Sequence, residues 1–290
     1  MGSDDRIRAA TWNCFGVPSG LYGILFGEPY RPERFRIRQI ARALAPYDVI
    51  CVQESFLDSV AAFFRELAEE LEMHLWHDRM LPHVVARSTF GGGLAILARQ
   101  PLDVTFEMFA TRGCGFDAWA CKGYATCDLK TAAGTPFRLV NLHLQSDDPK
   151  LAPHAYLASR EAQLDHLLAG LRRVAPPLPT LLCGDLNVPE ESDEYQQVLV
   201  PRMRAHGYVD VASGLGLHTY APAKNSLLHV HAPDEPDARY DYILTRNGEG
   251  RSFRVVSPPS LFLTEALGEP HEGPLFASDH FGIGVELALE

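Results

Sequence analysis

Asp185 and Asn187 stand two residues apart at the end of an apolar run, in "LLCGDLNVPEESDEY" (181–195). In a strand, side chains i and i+2 project to the same side. A carboxylate and an amide would then share one face at a strand end. The pattern recurs along the chain. Asn13 closes "ATWN" and Glu54 closes "VICVQE". His143 sits late in "RLVNLHLQS", Asp241 lies in "RYDYIL", and Asp279 and His280 stand in "ASDHFG". A lone residue of this kind is most often a turn cap or an Asx turn. A set of them, each at a candidate strand terminus, fits a site built beyond strand ends, where open α/β sheets carry theirs.

The residue types are those that phosphodiester hydrolysis needs. A hard cation takes oxygen ligands, which Glu and Asn supply. An attacking water needs a base that titrates near neutrality, and His is that residue. The base needs a carboxylate on its far nitrogen to orient it. The transition state gathers negative charge, which a metal, amide or imidazole donor offsets.

The elements that would position these groups are short and alternate. Strands are predicted at Arg6–Asn13, Val49–Gln53, Leu94–Ala98, Phe137–Leu144, Thr180–Leu186, Tyr240–Thr245 and Gly282–Leu287, each apolar or β-branched and bounded by Gly, Pro or charge. Helices are predicted at Pro32–Leu44, Ser59–Leu71 and Ser159–Val174. In the second, Val60, Phe63, Phe64, Leu67 and Leu71 share a face, and in the third Leu164, Leu167, Leu168 and Leu171 do. No repeat and no low-complexity linker divides the chain, which predicts one α/β domain over residues 1–290.

With 46% hydrophobic and 22% charged residues, the composition is that of a globular protein. The formal net charge of −11 opposes sequence-independent nucleic-acid binding. No apolar window is long enough for a membrane span. "MGSDDRIRAA" lacks a signal-peptide core, so the chain as it stands is expected in the cytoplasm, or outside the cell if a leader has been removed. Cys14, Cys51 and Cys183 read as small core residues, while Cys114, Cys121 and Cys127 leave room for one disulfide.

Taken in order, "WN", "QE", "NLHLQ", "GDLN", "YDYI" and "SDH" resemble the endonuclease/exonuclease/phosphatase superfamily, and specifically its neutral sphingomyelinase branch. "SREAQLDHL", the "SDEY" that follows "GDLNVPEE", and "HTYAPAKNS" resemble further segments of that branch. The resemblance spans roughly Ala10 to Leu287. It implies a four-layer αββα sandwich of two face-to-face mixed β-sheets flanked by helices. It implies a magnesium-dependent phospholipase C-type phosphodiesterase, with manganese or cobalt as alternatives and one or two ions. The expected substrate is sphingomyelin, cleaved to ceramide and phosphocholine. By the same resemblance, Glu54 is the principal metal ligand, with Asn13 beside it and Asp279 a second carboxylate. Asp185 binds metal-linked water or protonates the leaving group. Asn187 and His143 contact the phosphoryl oxygens. His280 is the general base, oriented by Asp241. Asn225, in the Asn-Ser stretch, belongs with the lipid-acting members and is expected to contact substrate.

Members of the branch can carry an aromatic hairpin before Ser-Asp-His. "SPPSLFLTEALGEPHEGPLFASDH" has no Trp and reads as a surface loop with buried anchors, which implies at most peripheral membrane contact. "LYGILFG" (21–27) is a second candidate for lipid contact, or a loop packed on the core. Phe56 and Tyr220 are expected to face a quaternary ammonium group, since cations favour aromatic faces, whereas Trp12 reads as core. "GGGLAIL" (91–97) reads as a tight turn before a strand. His74, His77 and His83 read as solvated loop residues, and "HVHAPDEPD" around His229 and His231 as a loop rimming the cleft. The expected partner is a phospholipid and not a nucleic acid, with a monomer favoured. Two alternatives stand beside this reading: a nuclease or inositol-phosphate phosphatase on the same scaffold, and a non-catalytic binding protein.

Overall fold

Strand β1, Arg6–Gly16, sets the architecture. Ile7 and Ala9 enter one apolar cluster, while Ala10, Trp12 and Cys14 enter another on the opposite face. A strand covered on both sides reads as a continuous apolar run rather than an alternating one. The remaining strands are β2 (Val49–Ser55), β3 (His74–His77), β4 (Ala95–Ala98), β5 (Thr105–Met108), β6 (Gly123–Lys130), β7 (Pro136–His143), β8 (Thr180–Asp185), β9 (Tyr208–Asp210), β10 (Asp241–Arg246), β11 (Phe253–Phe262) and β12 (Gly282–Leu289). Helices are α1 (Ile37–Leu44), α2 (Asp58–Leu71), α3 (Pro153–Arg173), α4 (Val200–Ala205) and α5 (Ser226–His231). The structure is a computed structural model that describes residues 5–17, 37–81, 90–148, 150–174, 177–267 and 276–290.

Two six-stranded mixed sheets result, ordered β11-β12-β1-β2-β4-β3 and β5-β6-β7-β8-β10-β9. Their inner faces meet in one cluster that draws Ile7, Val49, Cys51 and Ile283 from the first sheet and Leu139, Leu181, Cys183 and Ile243 from the second. Helices α1 and α2 cover the outer face of the first sheet with Leu44, Phe64 and Leu67. Helix α3 covers the second with Leu164, Leu167, Leu168 and Leu171, the face its periodicity predicts. The order is therefore helix, sheet, sheet, helix. Helix α3 begins six residues earlier than its periodicity predicts, with Pro153 in the first turn, where a missing N–H is harmless. The part of the first predicted helix before Ile37, His83 and the "LYGILFG" segment lie outside the described residues.

All seven predicted strands form, and among the described residues five more join them. Strand β11 contains Pro258 and Pro259, which read as loop. It is an edge strand with register shifts against β12, where missing N–H groups are tolerated. Strand β3 corrects the reading of His77 as a solvated loop residue. His77 is buried, and its Nε2 lies 2.8 Å from Ser55 Oγ. Strand β6 carries Cys127 into the core, and no disulfide joins any of the six cysteines, so the one left open above does not form.

Above the apolar layer the inner face turns polar. Gln53 exchanges hydrogen bonds with Thr11 (3.2 and 3.0 Å) and donates to Asn141 Oδ1 at 2.7 Å. Asn141 in turn donates to the backbone oxygens of Val52 (3.1 Å) and Ala95 (2.9 Å). A fully paired amide network of this kind, in low dielectric, fixes the register between the sheets. Two residues further along each strand come Asn13, Ser55 and His143.

Candidate active site

Register builds the site. In the parallel β7–β8 pair His143 lies opposite Asp185, and in the antiparallel β8–β10 pair Asp241 lies opposite Asp185. His143, Asp185 and Asp241 therefore form one row at the strand ends. Gly184 makes the row close: a Cβ there would sit 2.1 Å from the Leu142 carbonyl oxygen. In the facing sheet the β1–β2 register shifts between Asn13 and Gly16, and Glu54 takes a left-handed backbone with φ 59°. Asn187 does the same with φ 52°. Such backbones are strained for non-glycine residues and concentrate at functional sites.

The side chains converge on one cleft. His280 Nδ1 lies 2.8 Å from Asp241 Oδ2. Asn13 Nδ2 donates to Asp185 Oδ2 at 2.9 Å, and Asn187 N donates to Asp185 Oδ1 at 2.8 Å. His143 Nε2 stands 3.8 Å from Asp185 Oδ2 and 3.9 Å from Glu54 Oε1. Among the described residues, two groups bring ligand atoms within 4.8 Å of one another: Glu54, His143 and Asp185, and Asp185, Asp241 and His280. Asp185 belongs to both. Asp279 stands outside both, with Oδ1 accepting from Ser278 Oγ at 3.1 Å.

Charge in this pocket is frustrated. Burial pushes Glu54 up to about 7, against an Asn13 hydrogen bond and the His280 charge, which pull it down. Burial, then the Asp241 charge, pushes Asp185 up to about 6. Burial, reinforced by Glu54, takes Asp279 to about 7. Burial also opposes a charge on His280, but Asp241, Asp279 and Asp185 outweigh it and hold the imidazolium well above the usual range. His143 goes the other way: burial, then the positive charges of Lys122 and His280, holds it well below.

A divalent cation fits this donor set. Glu54 Oε2 is buried with no hydrogen-bond partner, and the neighbouring donors are carboxylate oxygens, which suit a hard ion. Glu54 and Asp185 are the residues that would hold it. Asn13 orients Asp185, while its Oδ1 accepts the Phe15 N–H at 3.0 Å and keeps a lone pair for the ion.

The remaining predicted residues have definite places. The Phe56 ring centroid is 6.5 Å from that of His143, packed where a Cβ on Gly93 would meet it at 2.5 Å. Tyr220 meets the His280 ring edge-on at 5.4 Å and Tyr240 at 5.3 Å. Trp12 is core, 1% exposed. Asn225 is fully buried and its polar atoms serve the backbone: Nδ2 donates to Ser278 O (2.8 Å) and Asp279 O (3.1 Å), and Oδ1 caps α5 at Leu227 N. It braces the Ser-Asp-His turn, which revises its expected contact with substrate. His229 and His231 fall in α5, not in a loop.

Several residues at the site escaped the sequence reading. Lys122 is buried, with Nζ 3.2 Å from His143 Nε2 and 2.7 Å from Asp117 Oδ2. It also donates to Leu144 O. An ammonium only donates, so His143 Nε2 accepts and the ring proton sits on Nδ1. Thr219 Oγ1 accepts from Asp241 N at 3.3 Å, and its carbonyl accepts from Phe281 N at 2.7 Å, so one residue sets both halves of the His280–Asp241 pair. Arg160 donates to Gln145 O (2.8 Å), Asp147 (2.7 Å) and Glu194 (2.6 and 2.8 Å), tying the loop after His143 to the segment after Asn187. "SREAQLDHL" and "SDEY" signalled this clamp without saying what it held.

Residues 10–280 match the Endonuclease/Exonuclease/phosphatase family. A curated relative, Sphingomyelinase C 2 of Leptospira interrogans serogroup Icterohaemorrhagiae serovar Lai (strain 56601), is 25% identical over 253 residues. That match covers 82% of this chain and 39% of the relative, so the chain spans less than half the relative's length. Among solved structures, a mutant of beta toxin from Staphylococcus aureus with bound magnesium ions is similar, with a TM-score of 0.72 at 18% identity, over 98% of this chain and 99% of that one. So is D. rerio TDP2 complexed with a single-strand DNA product, with a TM-score of 0.68 at 18% identity over 98% and 99%.

Proposed function

The chain belongs to the endonuclease/exonuclease/phosphatase family, and within it we propose that it is a divalent-metal-dependent phospholipase C-type phosphodiesterase that hydrolyses sphingomyelin to ceramide and phosphocholine. The observation that carries the reading is the row His143–Asp185–Asp241 facing Glu54, with His280 bonded to Asp241 at 2.8 Å. Two linked groups of ligand atoms sharing Asp185 suit a phosphoryl group held between a cation and a base. The relative over most of the chain is a sphingomyelinase, which favours a choline phospholipid.

In this reading His280 Nε2 takes the proton of the attacking water while Asp241 stabilises the imidazolium that forms. Oxygen bonds to phosphorus as the bond to the ceramide oxygen breaks. The leaving oxygen takes its proton from water in the cleft, while Asp185, held by Asn13 and by the Asn187 backbone N–H, stays ionised. The Asn187 amide receives an equatorial phosphoryl oxygen, while His143, whose Nε2 accepts from Lys122, lines the site beside it. A cation at Glu54 would supply further stabilisation of the phosphoryl charge and cancel carboxylate charge that otherwise keeps His280 protonated.

A nuclease reading has one specific observation behind it, the likeness in fold to a DNA-bound structure. The net charge of −11 weighs against it. A panel decides: purified protein with magnesium, offered sphingomyelin, lysophospholipids, glycerophosphodiesters and supercoiled DNA. Phosphocholine release from sphingomyelin alone or foremost is expected. Faster cleavage of DNA would overturn the lipid reading.

Lys122 gives a separate prediction. Lys122→Met should lower kcat/KM by about 100-fold, because the ammonium, its three protons spent on Asp117, Leu144 O and His143 Nε2, fixes His143 and the loop after it beside the phosphoryl site. Lys122→Arg should restore part of it. Wild-type rates in Lys122→Met, with circular dichroism unchanged, would place the lysine outside the reaction.

A further inference from the structure

A 3-10 turn, Gly115–Trp119, precedes β6 and is firmly anchored. The Asp117 carboxylate accepts Ser146 N (2.7 Å) and Oγ (3.0 Å) and pairs with Lys122. Cys114 N donates to Gln145 Oε1 at 2.8 Å, and Arg112 Nε donates to Ala118 O at 2.9 Å. These bonds fasten the turn to the loop that follows His143. Its tip, Trp119, is nevertheless 63% exposed.

A second 3-10 turn, Asp78–Met80, adjoins it. Gly92 N donates to Asp78, and Cys121 N donates to Gly91 O at 2.8 Å, so the two turns are stitched through Gly91 and Gly92. This turn also reaches the cleft, where Arg79 Nη1 donates to Phe56 O at 2.8 Å. It leaves Met80 61% exposed. The other large apolar side chains exposed among the described residues, Val174, Val209, Leu215 and Val255, sit on other elements.

A tryptophan left 63% exposed on a braced turn forgoes much of its burial, and with Met80 beside it the pair makes an apolar patch of the kind that marks contact surfaces. An indole, with an apolar body and one N–H, suits the membrane–water boundary. Charge narrows the partner. A protein of net charge −11 is repelled by anionic lipid. At this rim Arg79 is paired with Asp58 and Lys122 with Asp117, each at 2.7 Å.

We propose that Trp119 and Met80 form the contact that seats the cleft on a zwitterionic, choline-headgroup phospholipid surface; this rests on the phospholipase reading above. The contact is shallow, one indole and one thioether, and it stands in for an aromatic hairpin before "SDH".

The protein carries its own probe. Trp12 and Trp76 are buried, so quenching by membrane-embedded bromine reports Trp119. Phosphatidylcholine vesicles with brominated acyl chains should quench wild-type emission, and the protein should sediment with them, in chelator and therefore without turnover. Trp119→Ala should abolish the quenching and weaken partitioning by about tenfold. Trp119→Phe should keep most of the binding, and Met80→Ser should lose less than Trp119→Ala. All three should turn over a dispersed short-chain substrate at the wild-type rate. Sedimentation of Trp119→Ala equal to wild type, or wild-type binding without quenching, would overturn the proposal. So would tighter binding to phosphatidylserine vesicles. Failure of wild type to cleave the dispersed substrate would count against the phosphodiesterase reading instead, since vesicle binding is measured without catalysis.

Discussion

His280→Ala should lower kcat by roughly 10²–10⁴-fold, the usual contribution of a positioned general base, with KM little changed. The imidazole has one nitrogen committed to Asp241 at 2.8 Å and is 6% exposed, so its other nitrogen has no role in binding beyond the cleft. An interaction made only in the transition state lowers kcat and kcat/KM together. Asp241→Asn should cost less, because it leaves a neutral partner in place. Its diagnostic is the pH profile. Burial alone would depress the His280 pKa, and the charges of Asp241, Asp279 and Asp185 raise it well above the ordinary histidine value. A base works only when deprotonated, so the acidic limb of kcat lies at the folded pKa. Removing the Asp241 charge lowers that pKa, and the limb should move to lower pH. A limb that stays in place, or KM rising in step with falling kcat in His280→Ala, would remove His280 from the role of base.

Much of this arrangement was legible because strand ends carry a chemical signature. Seven strands and the inward faces of α2 and α3 follow from apolar runs and periodicity, and the polar residues at the strand termini stand out against them. Only pairing shows which termini meet. Asp241 and Asp185 lie 56 residues apart in sequence, and their opposition follows from the β8–β10 register. Lys122 was invisible for a related reason. In "AWACKGYA" it reads as a surface residue before a strand, and nothing local says that Asp117, Leu144 O and His143 will enclose it. Gln53 and Asn141 are buried amides within apolar strands, legible only as exceptions to the pattern. Asn225 was read from its motif as a substrate contact. Its side chain is spent on the turn that carries His280, so it acts on position. Strand β11 was hidden by its prolines, which are tolerated only because it lies at a sheet edge.

Glu54→Gln should reduce turnover by about 10³-fold, since a metal's stabilisation of phosphoryl charge is worth several kcal/mol and each 1.36 kcal/mol is tenfold. Its second signature is thermodynamic and needs no substrate. Glu54, Asp185 and Asp279 are raised to about 7, 6 and 7, chiefly by burial. A carboxyl whose folded pKa exceeds its unfolded value binds more protons folded than unfolded in the window between them. Stability then falls as pH rises through that window, from about 4 to about 7. The metal-free protein should on this account lose stability between pH 5 and pH 8 through these groups. Magnesium, displacing protons from Glu54 and Asp185, should raise Tm more at pH 8 than at pH 5.5. Glu54→Gln removes one buried charge. It should leave the metal-free protein at pH 8 as stable as wild type or more so, while abolishing most of the magnesium-induced rise. Differential scanning calorimetry with and without chelator measures both. A variant that is destabilised without metal and still gains the full magnesium shift would make Glu54 a structural carboxylate and place the cation elsewhere.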